Sequence, residues 1–436
     1  MSTWKKYKLG DIYDVSSGLS KPREEFGSGN PFVSFRDIFY NYFLPENLTE
    51  LVNTNIKEIK SCSVRKGDIF LTRTSETLHE LGMSSVALKD YPNATFNGFA
   101  KRLRKKANCA LDIDSIFIGY LLRSKYFRNQ IDAVASMTTR ASLNTASINA
   151  IEIDIPNLNE QIKIGEILKS LDDKIELNLQ MNKTLEEMAN ALYKHWFVDF
   201  GPFKDGKFVE SELGMIPEGW EVKKLEEVVE FINGYAFKSS ELLDFPEGDC
   251  YSVFKMGNIK KGGGLKPDGT KSYFKKESAV VLEKYILKKG DLLMSMTDMK
   301  DKVTILGHTA LMNEDNKFIV NQRVGLLRVK NVRGISYPFL FILTNSYEFL
   351  YDLRSKANSG VQVNLSTEAI KNAKFILGTS DYNNAFNDLI SPLFEKIFSI
   401  TKENEYLAQT RDYLLPKLIS GEIRVKDVAK AIKEVV

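Results

Sequence analysis

The chain has 436 residues, 43% hydrophobic and 27% charged, a soluble globular composition long enough for two or three domains with cores of their own. The net charge of +3 at pH 7 is too small to argue for or against a polyanionic partner, so any such case rests on local patches. No stretch approaches the roughly 20 apolar residues of a membrane span, and Lys5, Lys6 and Lys8 are followed by no secretory apolar run, so a cytoplasmic location without a membrane partner is expected.

In chain order the sequence repeats itself at half its length, the pattern that decides architecture before any single element does. Trp4, Leu9, Val15 and Gly18 reappear as Trp220, Leu225, Phe231 and Gly234, a shift of 216 positions. Phe35 to Ile38 aligns with Met256 to Ile259, and the turn Lys66-Gly67-Asp68 with Lys289-Gly290-Asp291. Asn97 to Arg104 aligns with Asn321 to Arg328, and Ser142 to Ile148 with Asn364 to Ile370, where the shift settles at 222. Within each copy, β-branched and aromatic runs such as Asp68 to Thr72 and Val324 to Val329 read as strands, while Ile116 to Arg123 and Tyr337 to Thr344 read as helical. The fold class is α+β, and Gly201 to Gly219 reads as a linker.

Each copy ends in a heptad segment. Ile164, Leu168, Leu171, Ile175, Asn178, Asn182, Leu185, Ala189, Leu192 and Trp196 step by four and three, and the same steps recur through Phe386, Ile390, Leu393, Ile397, Ile400, Asn404, Leu407, Arg411, Leu414 and Leu418. A 3.5-residue period sustained for over four heptads predicts two coiled-coil helices of about 50 Å each. Two similar units in one chain pack most simply about a pseudo-twofold axis, which makes the helices antiparallel and separates the globular domains. Pro392 is expected to kink the second helix or mark its start. Asn182 and Asn404 hold equivalent seam positions and favour a register in which each finds a partner, or else a frayed, water-filled point. The predicted domains are 1–155, a helix over 156–200, linker and second domain over 201–378, and a helix with tail over 379–436.

Catalytic patterns are sparse. His79, His195 and His308 lack a second ligand at metal spacing, Cys62, Cys109 and Cys250 read as unpaired and structural, and no metal site is expected. No nucleophile elbow, phosphate loop or dinucleotide fingerprint occurs. Gly262-Gly263-Gly264 reads as a flexible loop, and Asn30-Pro31-Phe32 lacks the Gly-rich cofactor turn that a methyltransferase motif needs. What remains is basic: Lys101, Arg102, Arg104, Lys105 and Lys106 in the first copy, and Lys255, Lys260, Lys261, Lys266 and Lys271 in the second. Such runs are usually solvated faces, but their recurrence in both copies favours nucleic acid, with lysines neutralising phosphates and Arg, Asn or Gln reading base edges.

The ending Arg411-Asp412-Tyr413-Leu414-Leu415-Pro416-Lys417-Leu418-Ile419-Ser420-Gly421 closely resembles the C-terminal helix of specificity subunits of Type I restriction-modification systems. Trp196-Phe197-Val198-Asp199-Phe200-Gly201-Pro202 and Gly214-Met215-Ile216-Pro217 resemble that family's central region and second-domain entry, and the likeness spans essentially the whole chain. The resemblance implies two target recognition domains reading a bipartite, asymmetric double-stranded DNA sequence, held apart by the helices. It implies two methylation subunits, which bind S-adenosylmethionine, and restriction endonuclease-translocase subunits as partners, with no catalysis and no cofactor in this chain. Candidate DNA contacts are Ser34, Arg36, Arg73, Thr74, Lys101, Arg102 and Arg140 in the first domain, and Lys255, Asn258, Thr297, Arg323, Gln362 and Asn364 in the second. Ile162, Met188, Tyr193, Phe197, Tyr406 and Leu415 are left over from a two-helix seam and are candidates to face methylation subunits, or to pack on the recognition domains. A coiled-coil scaffold without DNA affinity and a self-contained DNA methyltransferase are the alternatives.

Overall fold

The computed structural model describes residues 4–76, 80–137, 141–266, 269, 271–299, 303–330, 332, 334–359 and 362–432; Arg140 and His79 lie outside them. The chain divides into two compact units, Met1–Asn178 with Lys402–Val436, and Leu179–Thr401.

Each unit carries the same set of sheets. In the first, Tyr13–Ser17, Ala100–Lys105, Ile69–Thr72 and Ser84–Val86 form a four-stranded antiparallel sheet in that order. In the second, Val229–Asn233, Val324–Val329, Leu292–Ser295 and Thr309–Leu311 do the same. A smaller sheet with one parallel pair follows in both: Phe26–Val33 beside Thr95–Phe96, and Cys250–Phe254 beside Phe318–Val320. Lys5–Lys8 pairs with Glu152–Ile155, and Glu221–Lys224 with Lys374–Leu377. The duplicated landmarks thus fall at equivalent strands, turns and helix starts, and the α+β class and internal repeat stand.

The Lys-Gly-Asp turn shows why that tripeptide recurs. Gly67 and Gly290 sit at φ of +84° and +91°, a left-handed conformation that favours glycine. The turn swings Asp68 and Asp291 inward. There Arg104 bonds Asp68 through Nε at 2.7 Å and Nη2 at 2.6 Å, and Arg328 bonds Asp291 at 3.0 and 3.1 Å. Both aspartates are buried and also accept a turn amide, from Arg65 at 2.7 Å and Lys288 at 2.8 Å, so the buried charges are paired and hydrogen-bonded.

The two long helices are Leu158–Tyr193, followed by a wider turn over Lys194–Val198, and Ser380–Ile419. At 1.5 Å per residue they span roughly 54 and 60 Å. Segments of both enter each unit and run antiparallel there. In the first unit Asp172 faces Arg411 and Asn178 faces Asn404; in the second Asn182 faces Thr401 and Tyr193 faces Phe386. Leu168, Leu414, Leu418 and Ile397 are buried, while Leu171, Ile175, Asn182, Leu185, Leu192, Leu393, Asn404 and Leu407 are half-buried.

Two expectations need correction, on Pro392 and on the Gly262 to Gly264 loop. Pro392 does not mark the start of its helix, which begins at Ser380 and continues past it; buried Ile390 and Phe394 on either side offset the one backbone bond proline removes. The linker stretch Gly201 to Gly219 holds a short turn at Gly201–Phe203 and a hairpin of Phe208–Ser211 with Gly214–Pro217. The Gly262 to Gly264 loop is tied down, with Gly264 N donating to Thr309 O at 2.8 Å and Gly263 so close to the Asn345 amide that a Cβ would lie 2.3 Å from it. Both seam asparagines find partners: Asn178 Nδ2 donates to Asn404 Oδ1 at 2.8 Å and to Glu403 at 2.9 Å, and Asn182 Nδ2 donates to Thr401 Oγ1 at 3.3 Å.

Candidate nucleic-acid interface

In the first unit a chain of backbone hydrogen bonds gathers the loops at one end of the sheets. Leu19 N donates to Phe96 O, Gly98 N to Leu19 O, Asn97 N to Val33 O, Arg73 N to Phe99 O, and Leu143 N to Arg73 O, all at 2.7–3.1 Å. In the second, Tyr235 N donates to Val320 O, Gln322 N to Tyr235 O, Asn321 N to Phe254 O, Met296 N to Arg323 O, and Leu365 N to Met296 O, at 2.9–3.1 Å. These are the same bonds at repeat-equivalent positions. One backbone frame therefore presents different side chains: Arg36 against Gly257, Phe99 against Arg323, Arg73 against Met296, Lys101 against Gly325.

The frame gathers most of the candidates. Ser34 opens the helix Phe35–Tyr40, its hydroxyl bonded to Asp37, with exposed Arg36 on the first turn. Lys255 holds the matching place, its Nζ donating to Ser272 Oγ at 2.7 Å. Thr74 is half-buried beside Arg73 on Thr74–Ser75. Thr297 donates to Asn364 Oδ1 at 2.9 Å, across strands Thr297–Met299 and Gln362–Asn364. Asn364 is exposed, Gln362 half-buried, and Arg323 exposed on its turn. Phe99, Arg323's counterpart, is an exposed aromatic on the same frame outside the polar and charged candidates; the matched blocks Asn97 to Arg104 and Asn321 to Arg328 carry its position.

Two candidates are spent internally. Arg102 is buried, its Nη1 donating to Ser63 O at 2.7 Å and its guanidinium lying 5.5 Å from the Phe96 ring; burial and neighbouring Arg104 hold its pKa below the ordinary guanidinium value. Asn258 is buried, bonding Lys255 N at 2.9 Å and Lys266 O at 3.3 Å. With Arg104 on Asp68 and Lys106 Nζ on Gly10 O, the first basic run is mostly inward-facing structure. Tyr193, Phe197 and Leu415 are likewise buried in the units' cores, whereas Ile162, Met188 and Tyr406 are exposed. Among the described residues no group of side chains could hold a metal ion, and no helix is long and apolar enough to cross a membrane.

Residues 1–187 and 217–407 match the family described as Type I restriction modification DNA specificity domain. The chain is 28% identical to the Type I restriction enzyme MjaIX specificity subunit of Methanocaldococcus jannaschii, covering 98% of this chain and 94% of that one. It is 26% identical to the HindI specificity subunit of Haemophilus influenzae, over 97% and 100% of the two chains. The crystal structure of a Type-I restriction-modification S subunit from M. genitalium superposes with a TM-score of 0.57 at 16% identity, covering 96% of each chain, which supports the fold. The duplicated α+β units, the paired helices and the matched profile together place the chain in the specificity-subunit family of Type I restriction-modification systems, as a DNA target-recognition subunit and not an enzyme in its own right.

Proposed function

We propose that the chain reads a split, asymmetric double-stranded DNA sequence, each unit contributing one half through its loop frame. The observation that carries this reading is the identical backbone frame dressed with divergent side chains. A common frame docks in a common way, while different side chains at base-edge reach select different bases. Recognition spans are taken as 1–155 and 201–378, and the exposed Ile162, Met188 and Tyr406 as part of the surface for two methylation subunits, which would carry S-adenosylmethionine and methylate adenine. Restriction endonuclease-translocase subunits complete the assembly, which works on DNA in the cytoplasm. Exchanging residues 201–378 for the corresponding span of a relative tests the reading: one half of the recognised sequence should change and the other stay, whereas a change in both halves would refute it.

A further inference from the structure

At one place the matched frames differ in chemistry as well as in side-chain identity. In the first unit Lys101 lies between Ser17 and Leu71 in the sheet register. It is only 9% exposed, and its ammonium donates to Ser17 Oγ at 2.9 Å and Thr145 Oγ1 at 3.3 Å. No carboxylate pairs with it among the described residues; burial and then nearby Arg73 push its pKa down. Arg73 itself has a buried Nε without a partner. A nearly buried ammonium beside a second cation, with only hydroxyls to answer it, costs free energy in the free protein.

The second unit closes the same place. Asn233 stands for Ser17, Gly325 for Lys101, Thr367 for Thr145 and Met296 for Arg73. Thr367 Oγ1 bonds Asn233 Oδ1 directly at 3.0 Å. The space over Gly325 is taken by the Phe231 ring and the Met296 sulfur, 2.6 and 3.4 Å from where a Cβ would stand. The fold has no need of cations here, so the pair in the first unit calls for an acceptor from outside.

Resting on the reading of the loop frame as the DNA contact, we infer that Arg73, seated beside the Lys101 ammonium, reads a guanine in the half-target bound by the first unit, and that the second unit makes no cationic base contact at the matching position. Guanine offers the O6 and N7 acceptors side by side in the major groove, whereas adenine would aim its N6 amino group at a cation. A phosphate is the other acceptor-rich group on DNA. Phosphates are met by exposed, mobile cations, and this recessed pair suits a base edge better.

The test is the full chain co-expressed with its methylation subunit, with methylated positions mapped across a host genome. Wild type should show a guanine in the first half-target, and duplexes carrying 7-deazaguanine there should bind more weakly. Arg73→Met, the residue found in the second unit, and Arg73→Lys, which keeps charge without the fork, should lose roughly tenfold or more discrimination at that one position. Their second half-target should remain intact, which also reports that the variants fold. Unchanged preference in both variants, or a first half-target without guanine, overturns the inference. So does uniform weakening with a log–log salt slope smaller by about 0.9 and no base relaxed, which would assign Arg73 to a phosphate. Absence of any split motif in wild type would instead defeat the underlying functional reading.

Discussion

Arg411, in the family-like C-terminal segment, ties the second long helix to the first and to the recognition fold of the same unit. Its Nη1 donates to Asp172 Oδ1 at 2.6 Å, and the other carboxylate oxygen accepts the Tyr120 hydroxyl at 2.6 Å. Tyr120 is fully buried on the helix Ser115–Leu121. The side chains of Arg411 and Asp172 are 21% and 25% exposed, between a surface pair worth about 0–1 kcal/mol and a buried one whose disruption costs about 3–5. Arg411→Met keeps the aliphatic stem and leaves Asp172 with one neutral donor, so a loss of roughly 2 kcal/mol is expected. For a unit of about 210 residues that lowers its thermal midpoint by roughly 4–8 °C. Calorimetry should show the transition of the first unit moving and that of the second staying. A shift under about 1 °C would mean that the pair behaves as an exposed one and that apolar packing alone holds the helix.

Three further outcomes follow from the same structure. Leu414→Ala, at a fully buried seam position, should cost about 2–5 kcal/mol by urea denaturation, whereas exposed Tyr406→Ala should stay within about 0.5; similar losses would contradict the seam. Asn404→Leu leaves the buried Asn178 amide short of an acceptor and should destabilise by about 1–3 kcal/mol, while the double Leu substitution should recover most of that; a double variant as unstable as the single would remove the Asn pair as cause. Burial, and then its bond to Asp172, push the Tyr120 pKa far above the ordinary phenol value. Above about pH 10 the folded state then binds more protons than the unfolded one, and stability falls as pH rises. Tyr120→Phe should reduce that alkaline slope by up to about 1.4 kcal/mol per pH unit; an unchanged slope would show that this phenol does not contribute.

The architecture was legible because it is written in periodic and repeated features. Heptads marked both long helices, and the Lys-Gly-Asp turns and the Asn97 and Asn321 blocks marked equivalent strands. Side-chain direction was far less legible. Lys101 to Lys106 reads as a basic patch until the strand Ala100–Lys105 turns Arg102 toward the Ser61 and Ser63 carbonyls and the sheet pairs Arg104 with Asp68. The Asn178–Asn404 pair escaped the repeat comparison because the counterpart of Asn178 is Ile400, so the polar contact joins non-equivalent seam positions. The loop frame was hidden too: its backbone bonds link residues up to 87 positions apart, and no local pattern announces them. Arg73 and Lys101 were visible as types; that they lack a carboxylate partner among the described residues is a fact of tertiary structure.

The central claim is that the two units read two different half-sequences, and methylation mapping addresses it most directly. With the chain co-expressed beside its methylation subunit, single-molecule sequencing of the host genome should reveal one split, asymmetric motif with a constant spacer that disappears when the chain is omitted. Methylation that persists unchanged without the chain, or a motif with identical halves, would contradict the account.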